Sequence, residues 1–170
     1  MDFAARIDGL LTRFSEAHGR LVARLQTTTE VEASAVSQPG RWTPAQIGAH
    51  VAGFNDLLAR LISGDLPHAG PAPDGFVERP WPEIQASLLD PVEAPRTLQP
   101  EADVSRDASL TALSASATLV SDALRALTPE RGLLTVTHPR VGTIRLVQAG
   151  DWIVAHTIRH NAQLKRALGR

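Results

Sequence analysis

Eight of the twelve prolines in this 170-residue chain fall between Gly64 and Val104, and this clustering constrains the fold more than any motif. Proline lacks the N–H that helix interiors and central strands require. The segment therefore reads as a long connection, and regular structure is confined to the stretches on either side of it.

In those stretches apolar residues recur at helical spacing. Phe3, Ile7, Leu10, Leu11, Phe14, Leu21, Val22 and Leu25 form one stripe of the kind that faces a core. A second helix is announced by Thr43-Pro44-Ala45-Gln46: Thr can cap, Pro suits the first helical position, and Gln three residues after the cap can complete a capping box. Its stripe runs through Ile47, Val51, Phe54, Leu58 and Leu61 to Gly64, which is placed to end it. A third helix is expected from about Asp107 to Leu127, through Leu110, Leu113, Ala117, Val120 and Leu124, with Thr128-Pro129 as its stop. The last is expected from about Leu146 to Leu168, with Ile153, His156, His160 and Leu164 on one side; Gly150 inside it costs roughly 1 kcal/mol relative to Ala. Within the proline-rich connection, Trp81–Leu88 could form a short helix turning Trp81, Ile84 and Leu88 inward. His138-Pro139, flanked by Val136, Val141 and Ile144, fits a short strand pair or an extended loop and is read as a loop. Four amphipathic helices and no convincing sheet predict an all-α protein, a four-helix bundle in one domain over residues 1–170, with the proline-rich connection between helices two and three.

Charge and composition exclude several functions. Seventeen Lys plus Arg against eighteen Asp plus Glu leave a formal charge of −1, without a basic tract for phosphates, so no nucleic-acid partner is expected. The longest uncharged stretches, Trp42–Asn55 and Ala108–Ser121, are 14 residues each, short of the roughly 20 that span a bilayer. The N-terminus lacks the basic start and apolar run of a signal peptide, and a cytoplasmic location without membrane association is expected. There is no cysteine, which removes disulfides, thiolate metal sites and a cysteine nucleophile together. Arg6, Arg13 and Arg20 repeat every seven residues, most simply as the solvated face of helix one.

Histidine carries what chemistry the sequence offers. His156 and His160 lie four residues apart, one turn apart on the same helix face, where both rings can reach one metal ion. His50 falls between Ile47 and Phe54 and points along the buried side of its own helix. Three imidazoles from two helices can hold Zn, Ni or Fe and leave a coordination position open. A single histidine on an apolar face is more often a hydrogen-bonded core residue than a ligand. His18, between Phe14 and Leu21, is a possible fourth ligand but fits a core or rim role better. His68 and His138, both beside prolines, read as solvated or turn residues. Nucleotide-binding glycine loops, the G-x-S-x-G elbow and the H-E-x-x-H helix are all missing.

The order of these residues resembles the DinB/YfiT-like superfamily. His50 follows Trp42-Thr43-Pro44, and His138-Pro139, Gly142, Trp152, His156, His160 and Gln163-Leu164 follow in turn, similar to that family's "HP…G…W…H…H..QL" signature. Two positions depart from it: Thr157 stands where many relatives carry an acid, and Arg145 where they carry a Ser or Thr cap. The resemblance implies a four-helix bundle with one ligand from the second helix and a pair from the last, and often a homodimer. It implies a divalent metal ion with a low-molecular-weight thiol such as bacillithiol, mycothiol or glutathione. The function expected on that basis is metal-dependent thiol S-transfer to small electrophiles, the proline-rich connection helping to shape the pocket. A metal-dependent hydrolase using bound water, or a non-enzymatic dimeric bundle for small-ligand binding, remains the alternative.

Overall fold

The computed structural model describes residues 2–86 and 93–169. Four long helices dominate it: α1 (Phe3–Gln26), α3 (Pro44–Ser63), α5 (Arg106–Ala126) and α7 (Leu146–Ala167). Three short helices, α2 (Glu30–Ser34), α4 (Trp81–Ala86) and α6 (Pro129–Gly132), and one 3-10 turn, Arg96–Leu98, lie in the connections. The expected long helices are all present, and their ends fall within a residue or two of the expected ones. The expected Trp81–Leu88 helix is described to Ala86, with Ile84 buried; Leu88 lies outside the described residues.

Close contacts fix the helix directions. Gly48 near the start of α3 lies against Ser109 near the start of α5, so close that a Cβ would stand 2.2 Å from Ser109 Oγ. Near their other ends, Arg131 Nε donates to the Ile62 carbonyl at 2.6 Å. The two helices therefore run parallel. Leu25, late in α1, meets Gly48, and Phe3 meets Gly132, so α1 is antiparallel to both. Gly150 of α7 packs on Leu10, and Arg24 donates to Asn161 at 3.1 Å, which makes α7 parallel to α1. Parallel neighbours cannot be joined by a tight turn. After α3 the chain must return along a helix of 20 residues, about 30 Å, and the proline-rich connection provides that return. Gly150 is explained by the same contacts, since an added Cβ would come within 3.0 Å of Leu10 and 3.1 Å of Leu124.

The core is divided. Phe14, Phe54, Leu58, Val120, Leu124 and Ile153 belong to one apolar cluster, and Leu21, Leu25, Ile47, Val51, Leu113 and Leu164 to another. Along the four long helices, His18, Asn55, Ser116 and Thr157 are among the buried polar residues and form a polar layer at the level where the two clusters meet. Three are satisfied by helix carbonyls. His18 Nε2 and Ser116 Oγ both donate to Leu113 O, at 3.1 and 3.0 Å, and Thr157 Oγ1 donates to Ile153 O at 2.9 Å. Asn55 is fully buried, and neither amide atom has a partner among the described residues.

Two sequence expectations are corrected. The segment read as a loop around His138 is an antiparallel hairpin, β1 (Thr135–His138) and β2 (Gly142–Arg145), paired Thr135 to Arg145 through His138 to Gly142. Pro139 lies in its turn, where no ladder N–H is needed, and Gly142 takes the positive φ of 71° that closes it. Gly70 bridges to Thr135, tying the proline-rich connection to the hairpin. The second correction concerns helix one: Arg6 and Arg13 do not simply face solvent but converge on the buried Asp151 of α7, at 3.2 and 2.9 Å. Arg20 stays on the exposed face beside Glu16. The departure at Arg145 is accommodated by Gln148, whose Oε1 accepts the Arg145 backbone N–H at 2.9 Å. No described helix is long and apolar enough to cross a membrane.

Candidate metal centre

The start of α3 sets the position of His50. Thr43 and Gln46 form the expected capping box, with Gln46 Oε1 accepting from Thr43 N at 2.9 Å and Thr43 Oγ1 from Gln46 N at 3.2 Å. The same Gln46 donates through Nε2 to the carbonyls of Glu101 and Ala102, at 3.0 and 3.2 Å, and so straps the returning connection onto α3. That strap brings the Leu98 carbonyl 2.8 Å from His50 Nδ1. A carbonyl only accepts, so Nδ1 carries the proton and the Nε2 lone pair is turned inward.

His160 is fixed in the same sense from its own helix: Gln163, one turn on, places Oε1 2.8 Å from Nδ1. His156 stacks on Phe54, ring centroids 3.7 Å apart at 14°. Its Nε2 lies 3.2 Å from His50 Nε2, close to the edge of about 3.3 Å expected between two ligands of a tetrahedral ion held at 2.0–2.1 Å. One nitrogen from each ring of His50, His156 and His160 falls within 4.8 Å of the others. Even with the His156 Nε2 proton donated to the His50 Nε2 lone pair, one of the four nitrogens of the two rings stays unpaired. His156 Nδ1 is buried without a partner among the described residues.

Burial makes these rings ligands rather than cations. Desolvation lowers the pKa of all three, pushing His160 down to about 3 and His156 well below its ordinary value. Repulsion among the rings and from Arg159 acts in the same direction. Neutral imidazoles with facing lone pairs are the protonation state that metal ligation requires.

Aromatic rings pack around the cluster, and its three members differ in burial. Trp42 lies 4.6 Å from the His50 ring, and His50 and His160 are buried, while His156 is half-buried. Trp152 packs edge-on against Phe54 at 5.5 Å and against His138 at 5.0 Å. His138 is thus not solvated: at the end of β1 beside the turn it is half-buried on the indole, and its Nδ1 accepts the Arg140 backbone N–H at 3.2 Å. His68 is exposed, as expected. His18 takes its place in the polar layer, bonded to Leu113, and is not part of the three-histidine group found among the described residues. The Leu98 carbonyl was invisible to sequence reasoning, because a backbone atom in a proline-rich connection leaves no side-chain signal. Gln163 could have been found from its spacing, three residues after a candidate ligand.

The sequence model of the DinB superfamily matches residues 13–164. The chain belongs to the DinB superfamily. The match takes in His50, His156 and His160, and its span covers nearly the whole of this DinB-family bundle. No curated protein matches the sequence. The three histidines of this DinB-family protein could hold a metal ion.

Proposed function

We propose that His50, His156 and His160 bind one divalent metal ion and that the protein uses it to transfer a low-molecular-weight thiol to small electrophiles. The observation that carries the reading is the facing arrangement of the three neutral imidazoles, two of them aimed by hydrogen bonds at Nδ1. Zn, Ni and Fe all suit such a nitrogen donor set, and the 3.2 Å separation of two Nε2 atoms fits it. A divalent ion held by three ligands keeps a position open and lowers the pKa of a thiol or water bound there.

The chain's own residues define the surroundings. Leu98 and Gln163 orient two rings, Phe54 fixes the plane of the third, and Trp42 packs against His50. With no cysteine in the sequence, a sulfur nucleophile has to come from a separate small molecule, which favours the transferase reading over transfer through the protein's own thiol. The half-buried His156, stacked on Phe54, which in turn meets the Trp152 indole edge-on, is where a small substrate with an apolar body can approach.

Elemental analysis of untagged protein tests the site, and product analysis tests the reaction. About one Zn, Ni or Fe per chain in the wild type, lost in His156→Ala, is expected. Loaded protein should then consume an electrophile only when a thiol is added. Consumption without thiol would replace transfer by hydrolysis, and a chain that takes up none of the three ions would end the metal reading.

A further inference from the structure

Away from the histidines, a cleft of about 450 Å³ opens between the first half of α1, the start of α7 and the segment leading into α4. Arg6, Arg13, Arg79, Gln148, Asp151 and Trp81 line it. Its floor is Asp151, whose side chain is only 7% exposed and receives Arg6 on Oδ2 and Arg13 on Oδ1. One guanidinium would neutralise that carboxylate. The second leaves the pair with a surplus positive charge, and Arg79 adds another.

The guanidinium groups have donors to spare. Arg6 uses one terminal nitrogen on Asp151, and Arg13 uses one on Asp151 and its Nε on the Gly9 carbonyl. Their remaining N–H groups have no acceptor among the described residues. Asp151 and Gln148 are already committed: both oxygens of Asp151 are taken, Gln148 Nε2 donates to Arg79 O at 2.9 Å, and its Oε1 accepts from Arg145 N. The other acid of the lining, Glu78, is paired with Arg145 at 3.3 Å. What the cleft still offers is therefore N–H donors in fixed forks, which match a carboxylate, beside the flat wall of Trp81. Its volume lies within the range of small-molecule sites.

We propose that this cleft is a binding site for a small organic carboxylate with a flat apolar body, separate from the three-histidine centre. The carboxylate takes the outer N–H groups of Arg6 and Arg13, and the apolar body lies along Trp81. The buried Asp151 acts as a positioning residue, holding the two guanidinium groups side by side from opposite ends of two helical turns.

Benzoate and its neutral analogue benzamide are suitable probes, followed through the Trp81 indole N–H and the Arg6 and Arg13 Nε–H signals in two-dimensional NMR of the full chain. Saturable shifts with benzoate at about 1 mM or below, and none of comparable affinity with benzamide, are expected. Arg6→Gln, which leaves Arg13 on Asp151, should weaken benzoate about tenfold or more without disturbing the rest of the spectrum. Trp81→Leu is the second variant and should weaken benzoate while leaving the arginine pair in place. Equal binding of the two probes, or benzoate shifts unchanged in both variants, would overturn the proposal. The readout does not involve metal or activity, so its outcome is independent of the three-histidine centre.

Discussion

His18 and His50 begin from the same sequence signal, a histidine within the apolar stripe of a long helix, and end in different regions with different chemistry. His18 sits in the polar layer, where its Nε2 donates to a helix carbonyl and no second histidine approaches. His50 is turned by a carbonyl on its other nitrogen, Nδ1, so that Nε2 faces His156 and lies near His160. Burial lowers both pKa values. The difference lies in which nitrogen the backbone claims and in what stands opposite the remaining one. A buried neutral histidine alone is a core residue, and three of them converging by Nε2 are a donor set.

The largest way to break this comparison is to remove one ring at a time. His50→Ala should take metal content from about one ion per chain to near none, as a tridentate site loses a ligand. His18→Ala should leave the content unchanged and instead lower stability by about 1–3 kcal/mol, through the lost hydrogen bond and the space left in the layer. Metal analysis and denaturant unfolding on the two variants separate the roles. Equal metal loss in both would mean that the two regions are one site.

Gln163→Leu sharpens the comparison at a smaller scale. It keeps all three rings but removes the acceptor that holds His160 Nδ1–H, and losses of about 10–100-fold in metal affinity follow from such changes. Competition with a chelating dye measures it. An unchanged affinity would show that packing alone orients His160.

The polar layer carries a prediction of opposite sign. Asn55 is fully buried with its amide unpartnered among the described residues, and an unsatisfied buried polar group costs about 1–3 kcal/mol. Asn55→Leu, which keeps the number and branching of the side-chain heavy atoms but is bulkier at its methyl groups, should therefore raise the stability by about 1 kcal/mol, the relieved polar burial outweighing the tighter fit, with a higher denaturant midpoint at an unchanged slope. A fall in stability would show that the amide is satisfied by water within the layer or that the layer has no room for the bulkier side chain.

What was legible in the sequence follows the same division between side chain and backbone. Long helices were readable because each buries a stripe at regular spacing, and the capping box at Thr43 marked the start of α3 to the residue. The three candidate ligands were readable because two share a helix face and the third lies within an apolar stripe. The hairpin was legible only as the alternative to a loop: its strands are four residues each, Pro139 interrupts the run, and Val141 and Ile144 do not alternate. The partner of Arg6 and Arg13 was hidden because Asp151 is 138 residues beyond Arg13, and a heptad of arginines looks the same whether it faces water or a buried acid. The Leu98 carbonyl was hidden because only the fold brings the returning connection over α3.

The smallest effect concerns pH and follows from the lowered pKa that both regions share. Burial disfavours the charged ring of His18, so as pH falls through the ordinary histidine value of about 6.5 the unfolded chain takes up a proton before the folded one does. The stability His18 contributes is then complete above that value and declines below it. The three clustered histidines, whose folded pKa values are also lowered, add to the same decline in metal-free protein. Thermal unfolding of chelator-treated protein should show a midpoint that drops as the pH falls from about 7.5 to about 5, through the unfolded value of about 6.5. His18→Gln should make the drop shallower, because one proton-binding site is gone, while His50→Gln should do so to a similar extent and also abolish the separate stabilisation by added metal. That last distinction isolates the comparison: both rings contribute to acid sensitivity, and only His50 links stability to metal concentration. A midpoint that rises toward pH 5 would mean that one of these rings is held in its charged form by a partner.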